Sequence, residues 1–432
     1  MHPIQELLKK RSQGIPVGIY SCCSANEFVL RAAILRAKMT DSPVLIECTA
    51  NQVDQFGGYT GMKPKEFLDY VQDIAVQEGL PLDRVILGGD HLGPLKWVNL
   101  PESEAMEHAR ELVRQYILAG FTKIHLDTSM RVADDPTDER LSDDVIARRS
   151  AELCMVCEKA FEERLHKIPE AVKPVYIVGS EVPIPGGEQE AENDISVTRP
   201  EEFYSTVQIF KSKYMEYGLS DAWNRVIGVV VQLGVEFGDD NVFAYNRQKA
   251  RKLTDKLKEY PGMVFEGHST DYQTPICLKE MVEDGIAILK VGPALTFALR
   301  EALIALESIE KELLSGRGVW MSDFRKILDT SMRIEPSDWK KYYHGNDLDQ
   351  SLARIFSYSD RARYYLPQTD VQKSIERLLK NLSGIYIPYT LLSQYMPLQY
   401  LKVRQGKLSS DAQSLLLDRI GNCIDDYLYA AL

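Results

Sequence analysis

Short apolar runs alternate with longer amphipathic stretches through the first three hundred residues of the chain. The runs are rich in valine, isoleucine and leucine, as buried strands are, and the longer stretches have helical periodicity. Eight strands are predicted in this way, at VGIYSCCSAN from Val17, PVLIECT from Pro43, RVILGGD from Arg84, KIHLDTS from Lys123, VYIVGSE from Val175, RVIGVVVQ from Arg225, MVFEGHS from Met263 and AILKVGP from Ala287. Eight parallel strands with helices between them predict a closed α/β barrel.

The pattern changes after Gly292, where no further strand of this kind is found. The remaining sequence has helical periodicity with aromatic-rich turns such as SDWKKYYHG and YSDRARYYLP. We therefore predict a barrel in residues 1–300 and a helical C-terminal extension in residues 301–432 that packs on the barrel. No low-complexity linker separates the two parts.

The amino-acid composition and net charge limit the classes of protein to which the chain can belong. The 432 residues are 44% hydrophobic and 26% charged, no apolar run approaches the roughly 20 residues that span a bilayer, and the first residues lack a signal-peptide pattern. We expect a cytoplasmic protein without membrane contact. The net charge of −12 argues against nucleic-acid binding. The seven cysteines suit reduced thiols, and we assign Cys154 and Cys157 to a buried helix face rather than to a redox or zinc site.

Polar side chains interrupt or end nearly every predicted strand. They are Glu47, Asp90 with His91, His125 with Asp127, Glu181, Gln232 with Glu236, Glu266 with His268, and Lys290. In parallel barrels the carboxyl ends of the strands form one rim, where active sites lie. So many ionisable groups at one rim would repel one another without a cation or substrate to satisfy them.

These groups have the chemistry of a divalent metal site. Imidazole and oxygen ligands would come from His91 and His268 with Gln232, Glu236 or Glu181, and zinc is the foremost ion, with manganese, nickel or magnesium as alternatives. Asp90, Asp127 and Glu181 are the candidates for acid/base catalysis. Whether His125 takes part is left open. The other histidines are expected at the surface; they are His2, His108, His166 and His344.

Substrate contacts are predicted around the same rim. The candidates are Glu47, Asn51, Gln52, Ser269, Thr270, Asp271, Lys290 and Gly292. Ser269, Thr270 and Gly292 are phosphate candidates, because barrel enzymes often hold phosphate after the seventh and eighth strands. The clusters at residues 340–343 and 361–365 either reach over the rim to a phosphate or form an exposed helix face.

Long motifs through the whole chain resemble one known family. They are LIECTANQV, FGGYTGM, GGDHLGP, KIHLD, SEVPIPGG, VVQLGVEF, HSTDYQT, LKVGPALTFALREA, KKYY and QYMP. They are similar to the GatZ/KbaZ family, the Z-type subunits associated with class II tagatose-1,6-bisphosphate aldolase. The resemblance implies a TIM (β/α)8 barrel with a helical C-terminal extension. Class II aldolases share the Asp-His pair, here Asp90 and His91, and a later metal histidine, here His268. A third metal histidine of those aldolases is absent, and Gln232 and Glu236 stand near its place.

The family resemblance implies two alternative functions. Some members are described as non-catalytic subunits that support the activity and stability of a class II aldolase catalytic subunit, which would then be a partner. Similar proteins are 4-epimerases that interconvert tagatose 6-phosphate and fructose 6-phosphate. An older kinase name finds no support, because the chain has no phosphate-binding Gly-x-x-x-x-Gly-Lys-Ser/Thr loop. We favour a divalent-metal-dependent ketohexose-phosphate 4-epimerase acting by retro-aldol and aldol steps, and a homo-oligomer is compatible with the sequence.

Overall fold

A closed barrel of eight parallel strands forms the centre of the molecule. The computed structural model describes residues 1–137, 140–180 and 195–432. The barrel strands are β1 Ile19–Cys22, β2 Val44–Thr49, β3 Val85–Leu92, β4 Lys123–Leu126, β5 Val175–Val178, β6 Val226–Val230, β7 Val264–Gly267 and β8 Ile286–Val291. Each pairs with its neighbour in chain order, and β8 pairs with β1. The predicted TIM barrel is confirmed, and all eight predicted runs contain a strand.

Helices surround the barrel and continue into the C-terminal part of the chain. In the barrel they are α1 Pro3–Ser12, α2 Glu27–Thr40, α3 Pro64–Glu78, α4 Glu102–Ala119, α5 Asp143–Lys167, α6 Pro200–Glu216, α7 Ser220–Trp223, α8 Arg247–Leu257, α9 Pro275–Glu283 and α10 Pro293–Leu314. The later ones are α11 Phe324–Ile334, α12 Asp347–Phe356, α13 Thr369–Leu382, α14 Tyr389–Tyr395, α15 Pro397–Arg404 and α16 Ala412–Ala431. Single 3₁₀ turns lie at Leu82–Arg84, Pro94–Trp97, Pro336–Asp338 and Arg361–Tyr364. Among the described residues, no helix is long and apolar enough to cross a membrane.

Local sequence explains where several helices begin and end. The side chain of Asn26 accepts hydrogen bonds from the first backbone N–H groups of α2, and Thr274 does the same for α9. Helices α3 and α4 end at Gly79 and Gly120, which adopt the left-handed conformation that glycine favours. One element was not predicted, a two-stranded antiparallel hairpin of Glu236–Phe237 and Val242–Phe243 after β6.

The C-terminal extension returns to the barrel through its last helix. Helix α16 packs against α2, α9, α10 and β1, and the Ala431 carbonyl accepts a hydrogen bond from the Gly18 N–H group. Arg36 of α2 pairs with Asp418 and Asp425 of α16. We propose the division into residues 1–300 and 301–432, with α10 running through the boundary and joining the two parts.

The interior of the barrel is apolar at the amino ends of the strands, and α1 closes that end. Ile4 and Leu8 of α1 form one buried cluster with strand residues, including Ile19, Leu45 and Ile288. His2 precedes this helix and is 2% exposed, so the predicted surface position of His2 is wrong. Its Nδ1 accepts from the Ile4 N–H group, and its Nε2 lies 3.0 Å from the Thr122 hydroxyl. The imidazole is buried because α1 packs against the end of the barrel. The sequence pattern does not show where α1 packs.

Acidification should therefore destabilise the protein through His2. Burial lowers its pKa from 6.5 to about 4, so between those values the unfolded chain takes up a proton that the folded chain does not. The free energy of unfolding falls as the pH falls through this window, by about 2.5 kcal/mol at about pH 4.5. Urea unfolding at about pH 7 and about pH 4.5 should show a smaller acid loss in His2→Gln, which keeps a donor and an acceptor. An equal loss in both proteins would contradict this.

Candidate active site

A bulge in β3 brings two adjacent side chains to the mouth of the barrel, the end at which the strands finish. Gly89 pairs with Ile124 of β4, but the next pair is Leu92 with Leu126, so β3 contains one extra residue. His91 accordingly has a φ of 49°, in the left-handed region. In a regular strand Asp90 and His91 would face opposite sides of the sheet. With the bulge, Asp90 contacts His125 of β4 and His91 contacts Asp127, which directly follows β4.

Glycine is required on either side of this pair. A Cβ atom on Gly93 would lie 1.7 Å from the Asp127 carbonyl oxygen. On Gly88 it would lie 2.7 Å from the Glu47 Cγ. The glycines of the GGDHLGP motif therefore allow β3 to approach its neighbours closely enough for the rim side chains to meet.

A layer of buried ion pairs lies beneath the mouth. Lys290 Nζ lies 2.8 Å from Glu47 Oε2 and 2.9 Å from Asp90 Oδ1. Lys123 Nζ lies 2.9 Å from Glu47 Oε1 and 2.5 Å from Glu266 Oε2. Lys123, Glu47 and Glu266 have no solvent exposure. These contacts fix the carboxylates of strands β2, β3 and β7 relative to one another.

Three histidines surround Asp90, and each has a ring nitrogen beside a carboxylate. His91 Nδ1 lies 2.8 Å from Asp127 Oδ2, and His125 Nδ1 lies 3.0 Å from Asp90 Oδ1. His268 Nε2 lies 3.1 Å from Glu266 Oε1. The ring centroids are 4.9 to 5.2 Å apart. A carboxylate on one nitrogen orients an imidazole and makes it a better metal ligand through the other nitrogen.

This cluster can hold a divalent metal ion. Asp90, His91, His125 and His268 each offer a ligand atom within 4.8 Å of the others. The buried Nε2 of His125 has no hydrogen-bond partner among the described residues, which is unfavourable unless a ligand satisfies it. Imidazole and carboxylate donors suit zinc and related ions. The surrounding carboxyl groups also outnumber the ammonium groups; they are Glu47, Asp90, Asp127 and Glu266 against Lys123 and Lys290.

The electrostatic environment sets the protonation of these groups. Burial alone would raise the pKa of Asp90, but Lys290 and His91 hold it well below its usual value. Burial would likewise raise the pKa of Asp127, and its hydrogen bond with His91 lowers it. Burial lowers the pKa of His268 to about 4. At neutral pH the cluster therefore contains ionised Asp90 and a neutral His268 whose nitrogen lone pair is available to a cation.

A cavity opens above the cluster and is bounded by both parts of the chain. Its wall contains Asp90, His91 and His268 from the barrel and Arg363 and Tyr364 from the extension. Six of the eight predicted substrate contacts also line it; they are Asn51, Gln52, Ser269, Asp271, Lys290 and Gly292. The other two, Glu47 and Thr270, are fully buried. The substrate roles of all eight stay predictions.

Two of the three residues predicted for the third metal position, Gln232 and Glu236, accept hydrogen bonds from nearby backbone groups. The side-chain oxygen of Gln232 accepts a hydrogen bond from the Gly234 N–H group, and that of Glu236 accepts from the Phe237 N–H group. Neither residue lines the cavity. The structure instead brings His125 beside His91 and His268, with ring centroids 5.1 and 5.2 Å apart. Glu181 lies outside the described residues.

Sequence reasoning left Lys123 out and did not decide on His125. Both lie in KIHLD, where Lys123, His125 and Asp127 alternate and so face one side of β4. That alternation is the signal that would have identified them together. For Arg363 the basic-aromatic cluster at residues 361–365 was the local signal, and it left two alternatives open. The structure places Arg363 in the cavity wall.

Comparisons with known proteins agree with the predicted family resemblance. Residues 4–432 match the model of a family described as D-tagatose-1,6-bisphosphate aldolase subunit GatZ/KbaZ-like. The crystal structure of a probable tagatose 6-phosphate kinase from Sinorhizobium meliloti 1021 is 46% identical, with a TM-score of 0.87, over 96% of this chain and all of that one.

Two other solved structures are much less similar. The YdjI aldolase from Escherichia coli K12 is 13% identical over 88% of this chain and 97% of that one, with a TM-score of 0.42. A fructose-bisphosphate aldolase from Campylobacter jejuni is 14% identical over 88% and 90%, with a TM-score of 0.43. Likeness at this level carries no information on function.

Proposed function

The chain belongs to the GatZ/KbaZ-like family of D-tagatose-1,6-bisphosphate aldolase subunits, and on that premise we propose that it is itself an enzyme. The proposed activity is a divalent-metal-dependent 4-epimerisation of a ketohexose phosphate, which interconverts D-tagatose 6-phosphate and D-fructose 6-phosphate. Zinc is the proposed ion, held by His91, His125 and His268. The catalytic base is Asp90.

One observation carries the proposal, namely the buried cluster of Asp90 with three histidines at the floor of a cavity. A chain that served only as scaffold would gain nothing from this arrangement. Burying the Asp90 carboxylate costs folding free energy. So does burying the His125 Nε2, which has no hydrogen-bond partner among the described residues. Such a cost is usual where groups are poised for binding or catalysis.

The reaction can proceed by cleavage and re-formation of one carbon–carbon bond. Asp90 accepts the proton of the C4 hydroxyl, C4 becomes an aldehyde, and the electrons of the C3–C4 bond form an enediolate at C2 and C3 of the three-carbon fragment. The aldehyde rotates and presents its other face. C3 then attacks C4 again, and Asp90 returns the proton to the C4 oxygen. Atoms and electrons balance without a co-reactant. A bound divalent ion supplies the positive charge that stabilises the enediolate.

Other residues keep the reacting groups in place. Asp127 orients His91, and its own carboxylate is fixed by the hydroxyl of Ser129 at 2.7 Å. Lys290 contacts Asp90 and holds its carboxylate towards the cavity. Across the cavity the rings of Tyr59 and Tyr364 meet edge to face, with centroids 5.2 Å apart. Both rings line the cavity, and this contact between its walls would help to retain the aldehyde fragment between the two steps.

A second function is favoured by the description of the family as aldolase subunits. In that case the chain would support a shorter class II aldolase chain and catalyse nothing alone. The two functions differ in what the isolated protein does, so one experiment separates them.

The test uses the purified chain freed of metal and supplied in turn with Zn²⁺, Mn²⁺, Ni²⁺ or Mg²⁺. We expect fructose 6-phosphate to yield tagatose 6-phosphate, detected by carbon-13 NMR, with at least one of these ions and not without metal. Elemental analysis should find about one ion per chain, as expected from the cluster of Asp90 with three histidines in the described part of the chain. Absence of product with every ion, together with co-purification of an aldolase chain, would support the second function instead.

A further inference from the structure

The position expected for a substrate phosphate is already filled by a side chain of the protein. In barrels this position is the start of the helix after β8. Here the Asp271 carboxyl group accepts hydrogen bonds from the N–H groups of Gly292, at 3.0 Å, and Ala294, at 2.8 Å. The Thr270 hydroxyl donates to the Lys290 carbonyl at 2.6 Å. The N–H groups of Gly292 and Ala294 and the Thr270 hydroxyl are therefore used within the protein.

Arg363 offers a different anion site in the wall of the same cavity. It lies in the 3₁₀ turn Arg361–Tyr364, which the extension places over the barrel mouth. Its guanidinium donates to the carbonyl oxygens of Ser359, at 2.5 Å, and Asp360, at 3.0 Å, and to the Tyr364 hydroxyl at 3.1 Å. Within the described parts of the chain, no carboxylate lies within 4.0 Å of this guanidinium. Asp271 and Asp360 act on its charge from a greater distance, so among the described residues no carboxylate forms a direct ion pair with it.

The neighbourhood of Arg363 is positively charged. The guanidinium of Arg361 stacks on the Tyr342 ring at 3.4 Å from the centroid. Burial would raise the pKa of the Tyr364 phenol, but Arg363 and Arg361 together lower it. The cavity thus has the Arg363 guanidinium in the wall that comes from the extension and the Asp90 carboxylate in the part that comes from the barrel. A sugar with a phosphate at one end matches this division of charge.

We propose that Arg363 binds the terminal phosphate of the substrate, so that phosphate recognition belongs to the C-terminal extension and not to the start of α10. A guanidinium pairs with two phosphate oxygens at once, which gives both charge and direction. The identity of the sugar rests on the proposed function, whereas the phosphate contact does not. The sugar carbons would then extend from Arg363 towards Asp90.

Phosphate binding can be measured without turnover. Calorimetry with inorganic phosphate should show an affinity about 10- to 100-fold weaker for Arg363→Gln than for the wild type. Arg363→Lys keeps the charge but loses the paired geometry, so it should be intermediate, and it carries the test if the glutamine variant does not fold. The control is Arg325→Gln, an exposed arginine on α11 over the Phe356 ring, which should bind phosphate as the wild type does.

Kinetics give a second readout. In Arg363→Gln the KM for fructose 6-phosphate should rise about 10- to 100-fold with little change in kcat. Unchanged phosphate affinity and unchanged KM in this variant would overturn the inference and leave the proposed function intact. Phosphate binding that depends on Arg363, in a protein that turns over no sugar with any metal, would overturn the proposed function and support the inference.

Discussion

Asp90→Asn should lower kcat for 4-epimerisation by about 10³-fold. Asparagine has nearly the same shape but cannot accept the proton of the C4 hydroxyl, and the proposed reaction has no step that avoids this transfer. The KM for fructose 6-phosphate should change little, because phosphate recognition lies elsewhere in the cavity. Initial rates at saturating substrate, measured with the protein fully loaded with metal, give the comparison.

Two further variants test whether the loss of rate is specific to Asp90. Asp127→Asn removes a carboxylate that acts only through His91, and a loss of about 10- to 100-fold is expected for such a positioning residue. Asp69→Asn changes an exposed carboxylate on α3 and should leave the rate as it is. If Asp90→Asn kept more than about a tenth of the wild-type rate, Asp90 could not be the base.

Lys123→Met should lower the free energy of unfolding by about 3 to 5 kcal/mol. Lys123 is completely buried between Glu47 and Glu266. Its loss removes the nearest ammonium group of Glu266 and leaves Glu47 paired with Lys290 alone. The methionine side chain fills a similar volume, so the effect comes from charge and not from a cavity. Urea unfolding at neutral pH measures it.

Removing the charge of Glu266, which pairs with Lys123, provides the matched control. In Lys123→Met with Glu266→Gln one of the uncompensated charges is gone, and part of the lost stability should return. Lys65→Met removes an exposed ion pair with Asp69 and should cost less than about 1 kcal/mol. If Lys123→Met were as stable as the wild type, the Lys123 ammonium group could not be compensating the charges of Glu47 and Glu266.

Local sequence predicted the barrel because each strand and helix is specified by nearby residues. A continuous apolar run such as RVIGVVVQ can be buried on both faces only in a parallel sheet, and periodic helices that end at Gly79 or Gly120 separate these runs. The rule that polar strand ends meet at one rim then brought Asp90, His91, His268 and Lys290 together, and the structure places all four around one cavity.

Tertiary structure decided how those side chains meet. The bulge that turns both Asp90 and His91 to the mouth depends on the pairing of β3 with β4, and this register is not visible in either strand alone. The same pairing puts His125 beside Asp90. Gln232 and Glu236 follow β6 and do not line the cavity. One extra residue in a strand reverses which side chains face the mouth, so prediction from regular alternation fails there.

The sequence by itself thus determined the barrel, its helices and the set of polar residues at its rim. Only the tertiary structure placed His2 in the interior, Asp271 at the start of α10 and Arg363 over the mouth. The physical reason is the separation along the chain over which each kind of interaction acts. Strand and helix preferences act between residues a few positions apart, whereas these placements depend on where α1, α10 and the extension pack against distant parts of the chain.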